Sequence, residues 1–212
     1  VAAHAVGVVH RDLKPENIMV VHRPDRPDAV KVLDFGLAKL AEGEGGRTAT
    51  ALTRAGAVFG TPRYMSPEQA EGRPADARAD LYALGVILYE MFTGTLPFDE
   101  DSVVSLLNMH VNQAPEPPTE RAPDREIGAP LETLILDCLE KDPDRRPADA
   151  RSVLTALEGI AKSSSRKQPS IPPTGELVPA TPAAGARRRY ALALGVAMGL
   201  AAAATAFVYL QD

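Results

Sequence analysis

Cysteine is nearly absent from this sequence, since Cys138 is the only one among 212 residues. A single cysteine excludes an internal disulfide and a cysteine-rich metal site, and both exclusions suit a protein of a reducing compartment. The neighbours of Cys138 are apolar, including Ile135 and Leu139. We therefore interpret this thiol as a small buried hydrophobe rather than as a reactive group.

A positive net charge is lacking too. The formal net charge is −5 at pH 7. This balance argues against nucleic acid as a general partner, because nucleic-acid-binding domains are usually basic. No internal repeat is visible, and a chain of 212 residues can hold one domain of roughly 150 residues plus accessory segments.

The most informative stretch that is present is residues 10–17, with the sequence HRDLKPEN. Pro15 disfavours a helix through this stretch and biases Lys14 toward an extended conformation. We therefore expect a stiff loop that directs alternate side chains into one cleft. A loop of fixed shape suits a reaction that depends on positioning.

The residue types in this loop and at Asp34 are those that phosphoryl transfer needs. The reaction requires a carboxylate beside the accepting hydroxyl, a cation for the transferred phosphate, and oxygen ligands for magnesium. Asp12 offers the carboxylate and Lys14 the cation, while Asn17 and Asp34 offer hard oxygen ligands. The stretch therefore predicts a phosphoryl-transfer site.

A short hairpin is predicted next to this loop. Residues 17–21 and 29–33 are two apolar runs, and residues 22–28 between them are dense in turn formers. Antiparallel pairing of the two runs brings their outer ends side by side. We therefore expect Asn17 and Asp34 to lie at the same end of the hairpin, as a shared magnesium ion requires.

Five ordered motifs together resemble the eukaryotic-like serine/threonine protein kinases of bacteria. They are HRDLKPEN at 10–17, DFG at 34–36, GTPRYMSPE at 60–68, DLYALG at 80–85 and DPDRRP at 142–147. The resemblance covers residues 1 to about 160. It implies a protein-kinase-like fold, here the large C-terminal lobe only, which is mainly α-helical with a small β-hairpin.

The resemblance also implies roles for the site residues, with ATP and Mg²⁺ as cofactors and proteins as substrates. Asp12 would orient or deprotonate the substrate hydroxyl, and Lys14 would steady the γ-phosphate. Asn17 and Asp34 would hold magnesium. Thr61 lies in the family's substrate-docking turn, where its hydroxyl is expected to bond Asp12 and Lys14.

Other residues of the motifs have expected structural roles. Glu68 resembles the glutamate that forms a buried ion pair with a distant arginine, here Arg146. Asp80 is expected to be a plain N-cap of its helix, and the resemblance implies that it also holds the backbone of the catalytic loop, residues 10–17; the two roles can coexist. His10 is expected to pack under that loop, and His4 is interpreted as a surface or packing residue.

Residues 37–65 resemble an activation segment. In the family, an arginine at the position of Arg11 pairs with a phosphorylated threonine of this segment, because phosphate offers three acceptor oxygens to a guanidinium. Thr53 is best placed for this role by resemblance, with Thr50 and Thr48 as alternatives. The other interpretation is a solvated loop whose threonines are unmodified.

Helical patterns follow the activation segment. Residues 80–94 are apolar nearly all round, which is typical of a central buried helix. Three further helices are predicted at about 101–111, 129–139 and 148–160. Residues 113–130 carry five prolines and should form an irregular surface connection between two of them.

The elements that this family places before the catalytic loop have no counterpart here. These are a glycine-rich phosphate loop, a nucleotide-pairing lysine and its glutamate partner, and only nine residues precede His10. We therefore expect a C-terminal-lobe fragment, with residues 1–160 as the kinase part, that is inactive by itself.

The C-terminal region changes character. Residues 161–189 are rich in Ser, Pro and basic residues and are predicted to be a disordered juxtamembrane linker. Residues 190–210 form an apolar run long enough for one transmembrane helix, with a two-residue stub at 211–212 outside. Arginines at 187–189 flank its N-terminal side only, which places the kinase lobe in the cytoplasm, at the inner membrane.

The favoured interpretation is a membrane-anchored, receptor-like kinase that transfers the γ-phosphate of ATP to Ser/Thr hydroxyls of proteins in membrane-linked signalling. Gly195, Gly199 and Ala203 recur every four residues, so they offer a small-residue face for a homodimer of membrane helices. Two alternatives stay open, a pseudokinase scaffold and a truncated, membrane-tethered docking module.

Overall fold

The computed structural model describes residues 1–24, 28–35 and 62–166. Several predicted features lie outside these ranges: Thr48, Thr50, Thr53 and Thr61, residues 167–189 of the predicted linker, and the predicted membrane helix with Gly195, Gly199 and Ala203. The described part is mainly helical with one small two-stranded sheet, which confirms that part of the predicted fold class.

The elements follow one another in a simple order. The helices are α1 (Ala2–Ala5), α2 (Pro67–Ala70), α3 (Ala77–Thr93), α4 (Val103–Asn112), α5 (Pro118–Arg121), α6 (Ala129–Cys138) and α7 (Ala150–Arg166). Single 3-10 turns occur at Pro15–Asn17, Pro62–Tyr64 and Pro143–Arg145. Each of these turns begins at a proline, whose fixed φ suits a first helical position and which has no N–H to leave unpaired.

The predicted hairpin is confirmed. Strands β1 (Ile18–Val21) and β2 (Ala29–Val32) pair antiparallel, with Ile18 opposite Val32. The pairing extends one step further at the open end, where the Leu33 N–H donates to the Asn17 carbonyl at 2.8 Å. The chain therefore reaches Asp34 beside the position where Asn17 enters β1.

Helix α3 is the centre of the fold, as its apolar composition predicts. The interpretation of Asp80 as the N-cap is wrong, because the cap is Asp76, whose side chain accepts from the Arg78 N–H. Asp80 lies in the first turn instead, and Gly94, with φ of 83°, ends the helix in the left-handed conformation that glycine favours. Four side chains of α3 have no exposed surface: Tyr82, Val86, Leu88 and Tyr89.

Helix α6 packs closely on α3 at Gly85. A Cβ atom at Gly85 would lie 2.8 Å from the Cβ of Cys138, closer than carbon atoms can approach, so this contact requires glycine. Cys138 is fully buried there, and burial raises the pKa of its thiol to about 12. The thiol is therefore protonated at neutral pH, in agreement with its interpretation as a buried hydrophobe.

Several details differ from the prediction. Helix α3 begins at Ala77 rather than at residue 80. Helix α7 ends at Arg166 rather than at Ile160, so the first residues of the predicted linker, 161–166, are helical. The connection between α4 and α6 is not wholly irregular, because it contains the single helical turn α5. Across the described ranges, no helix combines the length and apolar character required to traverse a lipid bilayer.

Candidate active site

The loop at residues 10–17 is held in place by a carboxylate from α3. Asp80 Oδ2 accepts from the His10 N–H and Asp80 Oδ1 from the Arg11 N–H, both at 2.8 Å. Asp80 thus holds the loop backbone, the role that the resemblance implied. The same carboxylate lies 2.8 Å from His4 Nε2, so His4 is more than a surface residue.

Arg11 has an unusual backbone conformation. Its φ is 65°, in the left-handed region that costs a non-glycine residue roughly 1–2 kcal/mol. The conformation is stabilised from both sides, because the Arg11 N–H bonds Asp80 and the Arg11 carbonyl accepts from Gln69 Nε2 at 2.9 Å. Gln69 was not predicted as part of the site. Its sequence signal is the capping pattern S-P-E-Q at 66–69, which marks the start of α2.

His10 connects the loop to the end of the hairpin. The ring is buried, its Nε2 lies 2.9 Å from the Leu33 carbonyl, and its centroid is 4.9 Å from that of Phe35. The Asp12 N–H donates to His10 Nδ1 at 3.3 Å. Both ring nitrogens are occupied by backbone groups, so His10 shapes the loop rather than acting on a substrate.

Asp12 and Lys14 are adjacent and accessible. Lys14 Nζ lies 3.0 Å from Asp12 Oδ2, and the side chains are 19% and 27% exposed, respectively. Lys14 has φ of −160° and ψ of 163°, the extended conformation predicted from Pro15. A carboxylate and an ammonium that both reach solvent can contact a hydroxyl and a phosphate at the same time.

Asn17 and Asp34 occupy neighbouring positions at the open end of the hairpin. Asn17 Nδ2 donates to the Asp12 carbonyl at 2.8 Å, which fixes the side-chain amide and connects it to the loop at residues 10–17. Asp34 is exposed and has φ of 52°, so the chain turns sharply at this residue. The hairpin register and the Leu33–Asn17 backbone bond place residues 17 and 34 at the same end of the hairpin.

This donor set fits magnesium bound together with a nucleotide. Mg²⁺ prefers oxygen ligands and commonly takes only one or two carboxylates from the protein, keeping water and substrate phosphates as its other ligands. In the part of the chain that the structure describes, no three His, Cys, Asp or Glu side chains cluster as a metal site of their own. Asn17 and Asp34 are the residues that would hold the ion.

The buried pair of Glu68 and Arg146 fastens α2 to the rest of the fold. Arg146 donates to both carboxylate oxygens of Glu68 at 2.8 Å, and the side chains are 0% and 3% exposed. Burial by itself would raise the pKa of Glu68, but the hydrogen bonds and charge of Arg146 outweigh it and lower that pKa. Arg146 also donates to the carbonyls of Glu140 and Arg78, so its guanidinium is well satisfied.

A second buried polar cluster lies between α3 and α4. Lys141 Nζ donates to the His110 carbonyl at 2.8 Å and to the Tyr82 hydroxyl at 3.3 Å, and it lies 4.4 Å from the Phe98 ring centroid. Burial, followed by the charge of Arg146, lowers the pKa of Lys141 to about 8. No sequence signal indicated this cluster, which caps the C-terminal end of α4.

The structure thus brings most of the predicted site residues together. The loop at residues 10–17, the end of the hairpin and the first turn of α3 form one group: Arg11, Asp12, Lys14, Asn17, Asp34 and Asp80. Glu68 and Arg146 form the buried ion pair that attaches α2 to the rest of the fold. The predicted site residue Thr61 and the threonines of the activation segment are outside the described residues.

Comparison with known proteins gives matches over most of the chain. A family model described as "Protein kinase domain" matches residues 2–157. Serine/threonine-protein kinase pkn3 of Myxococcus xanthus is 53% identical over 164 residues, covering 77% of this chain and 30% of that protein. Serine/threonine-protein kinase Pkn1 of the same organism is 48% identical over 157 residues, covering 74% and 22%.

A mycobacterial relative has similar coverage. Serine/threonine-protein kinase PknB of Mycolicibacterium smegmatis is 39% identical over 170 residues, covering 80% of this chain and 25% of that protein. The chain therefore spans less than a third of the length of these curated relatives.

Proposed function

This chain belongs to the protein kinase domain family, and from that premise we propose that it supplies the catalytic loop and magnesium ligands of a serine/threonine protein kinase. The reaction is transfer of the γ-phosphate of ATP to a serine or threonine hydroxyl of a protein. The observation that carries this proposal is the accessible Asp12–Lys14 pair, 3.0 Å apart, on a loop held by Asp80. Relatives that are named serine/threonine-protein kinases support the same reaction.

The roles follow from chemistry and position. Asp12 accepts a hydrogen bond from the substrate hydroxyl and takes its proton as the hydroxyl oxygen bonds to the γ-phosphorus, while the bond from that phosphorus to the bridging oxygen breaks and ADP leaves. Lys14 places a positive charge next to the transferred phosphate, which carries negative charge throughout the reaction. Magnesium, when bound by Asn17 and Asp34 together with the nucleotide, neutralises charge on the phosphates.

Positioning is the main contribution of this part of the protein. Asp80 and His10 hold the loop backbone, and Asn17 ties the magnesium edge to the carbonyl of Asp12. The base and the metal ligands therefore form one connected unit. Such preorganisation is what catalysis of phosphoryl transfer depends on, since the protein takes little covalent part in it.

The test is phosphate transfer by the full-length protein that contains this chain. With MgATP and a generic basic protein, we expect transfer to serine or threonine that is lost when EDTA removes magnesium. The 212 residues alone should have negligible activity, because the glycine-rich loop and lysine that the family uses to bind ATP are not among their motifs. Absence of transfer by the full-length protein would contradict the proposal and favour a pseudokinase scaffold.

Regulation by phosphorylation is part of the same proposal. Arg11 is the residue that would pair with a phosphorylated threonine, with Thr53 as the first candidate and Thr50 and Thr48 as alternatives. This proposal is supported by the position of Arg11 directly before Asp12. A phosphorylated threonine paired with Arg11 would hold the activation segment next to Asp12, the proposed base. Mass spectrometry of active enzyme should find phosphate on one of these threonines.

We also propose that a single membrane helix at residues 190–210 anchors the kinase lobe to the cytoplasmic face of the inner membrane. The support is the apolar run and the arginines at 187–189 on its N-terminal side. Pairing through Gly195, Gly199 and Ala203 would bring two lobes together and promote phosphorylation of one by the other.

Membrane attachment can be measured directly. The full-length protein should stay in the membrane pellet after a carbonate wash, because an integral helix resists conditions that remove peripheral proteins. Deletion of residues 190–210 should move it to the supernatant. A wild-type protein that the wash releases would contradict the anchor without affecting the kinase proposal.

A further inference from the structure

Both the oxygen and the nitrogen of the Gln69 side-chain amide make hydrogen bonds. Its Oε1 accepts from the Ser66 N–H at 3.2 Å and from the Ser66 hydroxyl at 3.1 Å. Its Nε2 donates to the Arg11 carbonyl at 2.9 Å, across 58 positions of sequence. These partners determine the orientation of the amide, because a flipped amide would place its N–H groups against the Ser66 N–H and its oxygen against the Arg11 carbonyl oxygen.

The bond to Arg11 acts on the peptide group that leads into the catalytic residue. The Arg11 carbonyl and the Asp12 N–H belong to the same planar peptide unit. Gln69 Nε2 donates to the oxygen of this peptide unit, and His10 Nδ1 accepts from its N–H. Asp80 accepts from the N–H groups of His10 and Arg11, so the left-handed turn at Arg11 is held by bonds to both N–H groups before it and to the peptide unit that follows it.

Gln69 lies on α2, a helix that is bound at two points. It is the N3 residue of α2, whose capping box with Ser66 fixes the start of that helix. Its neighbour Glu68 is anchored by the buried pair with Arg146. A residue on α2 therefore has a fixed position from which to hold the catalytic loop.

We propose that Gln69 is a positioning residue for phosphoryl transfer, which orients Asp12 by holding the Arg11 carbonyl. The inference rests on the proposed kinase function, but the contact on which it depends does not. Loss of the donor would free the peptide between Arg11 and Asp12 to rotate and would move the Asp12 carboxylate relative to the substrate. Displacements of this kind lower turnover more than they lower nucleotide binding.

Gln69→Glu separates this role from helix capping. Glutamate is a standard partner in a capping box, so it still accepts from Ser66, but it presents no donor to the Arg11 carbonyl. In the full-length protein, we expect kcat to fall about 10- to 100-fold, with KM for ATP within about twofold of wild type. The melting temperature should be close to that of the wild type.

Two further variants make the result decisive. Gln69→Met removes the donor without adding a charge, so it should lower kcat to a similar extent, although it also weakens the cap. Gln113→Glu introduces the same charge at an exposed residue at the C-terminal end of α4 and should leave kcat unchanged. If kcat fell in Gln69→Glu but not in Gln69→Met, the added charge would explain the effect and the inference would be overturned.

Hydrogen exchange distinguishes failure of the inference from failure of the kinase proposal. In the full-length protein, the Asp12 amide should exchange faster in both Gln69 variants than in wild type, whether or not the protein is active. Unchanged exchange and unchanged kcat would overturn the positioning role. A wild-type protein without kinase activity would remove the proposed function, and with it the catalytic meaning of the contact.

Discussion

Asp12→Asn is expected to lower kcat of the full-length protein by roughly 100- to 10,000-fold, the range that a positioned general base contributes. Asparagine has nearly the size and shape of aspartate, but it cannot take a proton from the substrate hydroxyl. It also removes the charge that lies 3.0 Å from Lys14 Nζ. Both changes act on the transition state rather than on the fold.

The fold should tolerate this change because the charges of the site reach solvent. Asp12 and Lys14 are 27% and 19% exposed, so loss of the carboxylate leaves Lys14 partly hydrated rather than stranded in the core. Accessible ion pairs contribute only about 0–1 kcal/mol to stability. The midpoint of urea unfolding should therefore stay close to that of the wild type.

Initial rates with MgATP and a protein substrate give the measurement. Asp124→Asn makes the same chemical change at an exposed residue between α5 and α6 and should turn over like wild type. Asp34→Asn should resemble Asp12→Asn, because it removes the carboxylate proposed to hold magnesium. If Asp12→Asn were as active as Asp124→Asn, the assignment of Asp12 as the base would be wrong.

The largest expected effect on stability comes from the pair that fastens α2. Arg146→Met should lower the free energy of unfolding by about 3–5 kcal/mol, since it leaves the Glu68 carboxylate buried with no partner of opposite charge. Glu68 is 3% exposed and cannot recover hydration without local unfolding. Domains of this size are stable by only about 5–15 kcal/mol, so the loss is a large part of the total.

A double mutant isolates the origin of that loss. Glu68→Met/Arg146→Met leaves no buried charge, so it should be less destabilised than the sum of the two single variants. Arg121→Met is the matched surface control, because the Arg121–Glu116 pair is 3.4 Å long and its side chains are 45% and 48% exposed. This control should cost no more than about 1 kcal/mol.

The dependence on pH has a defined sign. The folded state lowers the pKa of Glu68 below its ordinary value of 4.5, so the pair contributes its full stability above that value. The contribution is lost as the pH falls through the lower, folded-state pKa. Urea unfolding should therefore show the difference between wild type and Arg146→Met at neutral pH and a smaller difference in acid. A difference that grew in acid would contradict this account.

Local patterns were sufficient for the hairpin and for the extended loop. Two apolar runs separated by turn formers predicted the strand pairing that the structure shows. Pro15 predicted the extended conformation of Lys14. These features depend on interactions between residues close in sequence or on the covalent geometry of proline. The same is true of the central helix, whose composition already indicates burial on all sides.

Contacts between distant residues were not accessible in this way. His4 and Asp80 are 76 positions apart, and Gln69 and Arg11 are 58 apart. Neither His4 nor Gln69 belongs to a pattern that names its partner. The cap of α3 likewise needed the structure, because the sequence pattern favoured Asp80 and the structure shows Asp76, a residue type that caps equally well.

The sequence by itself determined which residues carry the proposed chemistry: the carboxylate, the cation and the oxygen ligands, their spacing along a loop and a hairpin, and the resemblance of these motifs to those of protein kinases. The resemblance also implied the contacts of Asp80 with the loop and of Glu68 with Arg146, which the structure shows, but only the tertiary structure revealed the contact of Gln69 with Arg11. The physical reason is the separation along the chain over which each kind of interaction acts. Backbone preferences and periodicity act over a few residues, whereas a buried hydrogen bond or ion pair depends on which distant side chains the fold brings within about 3 Å.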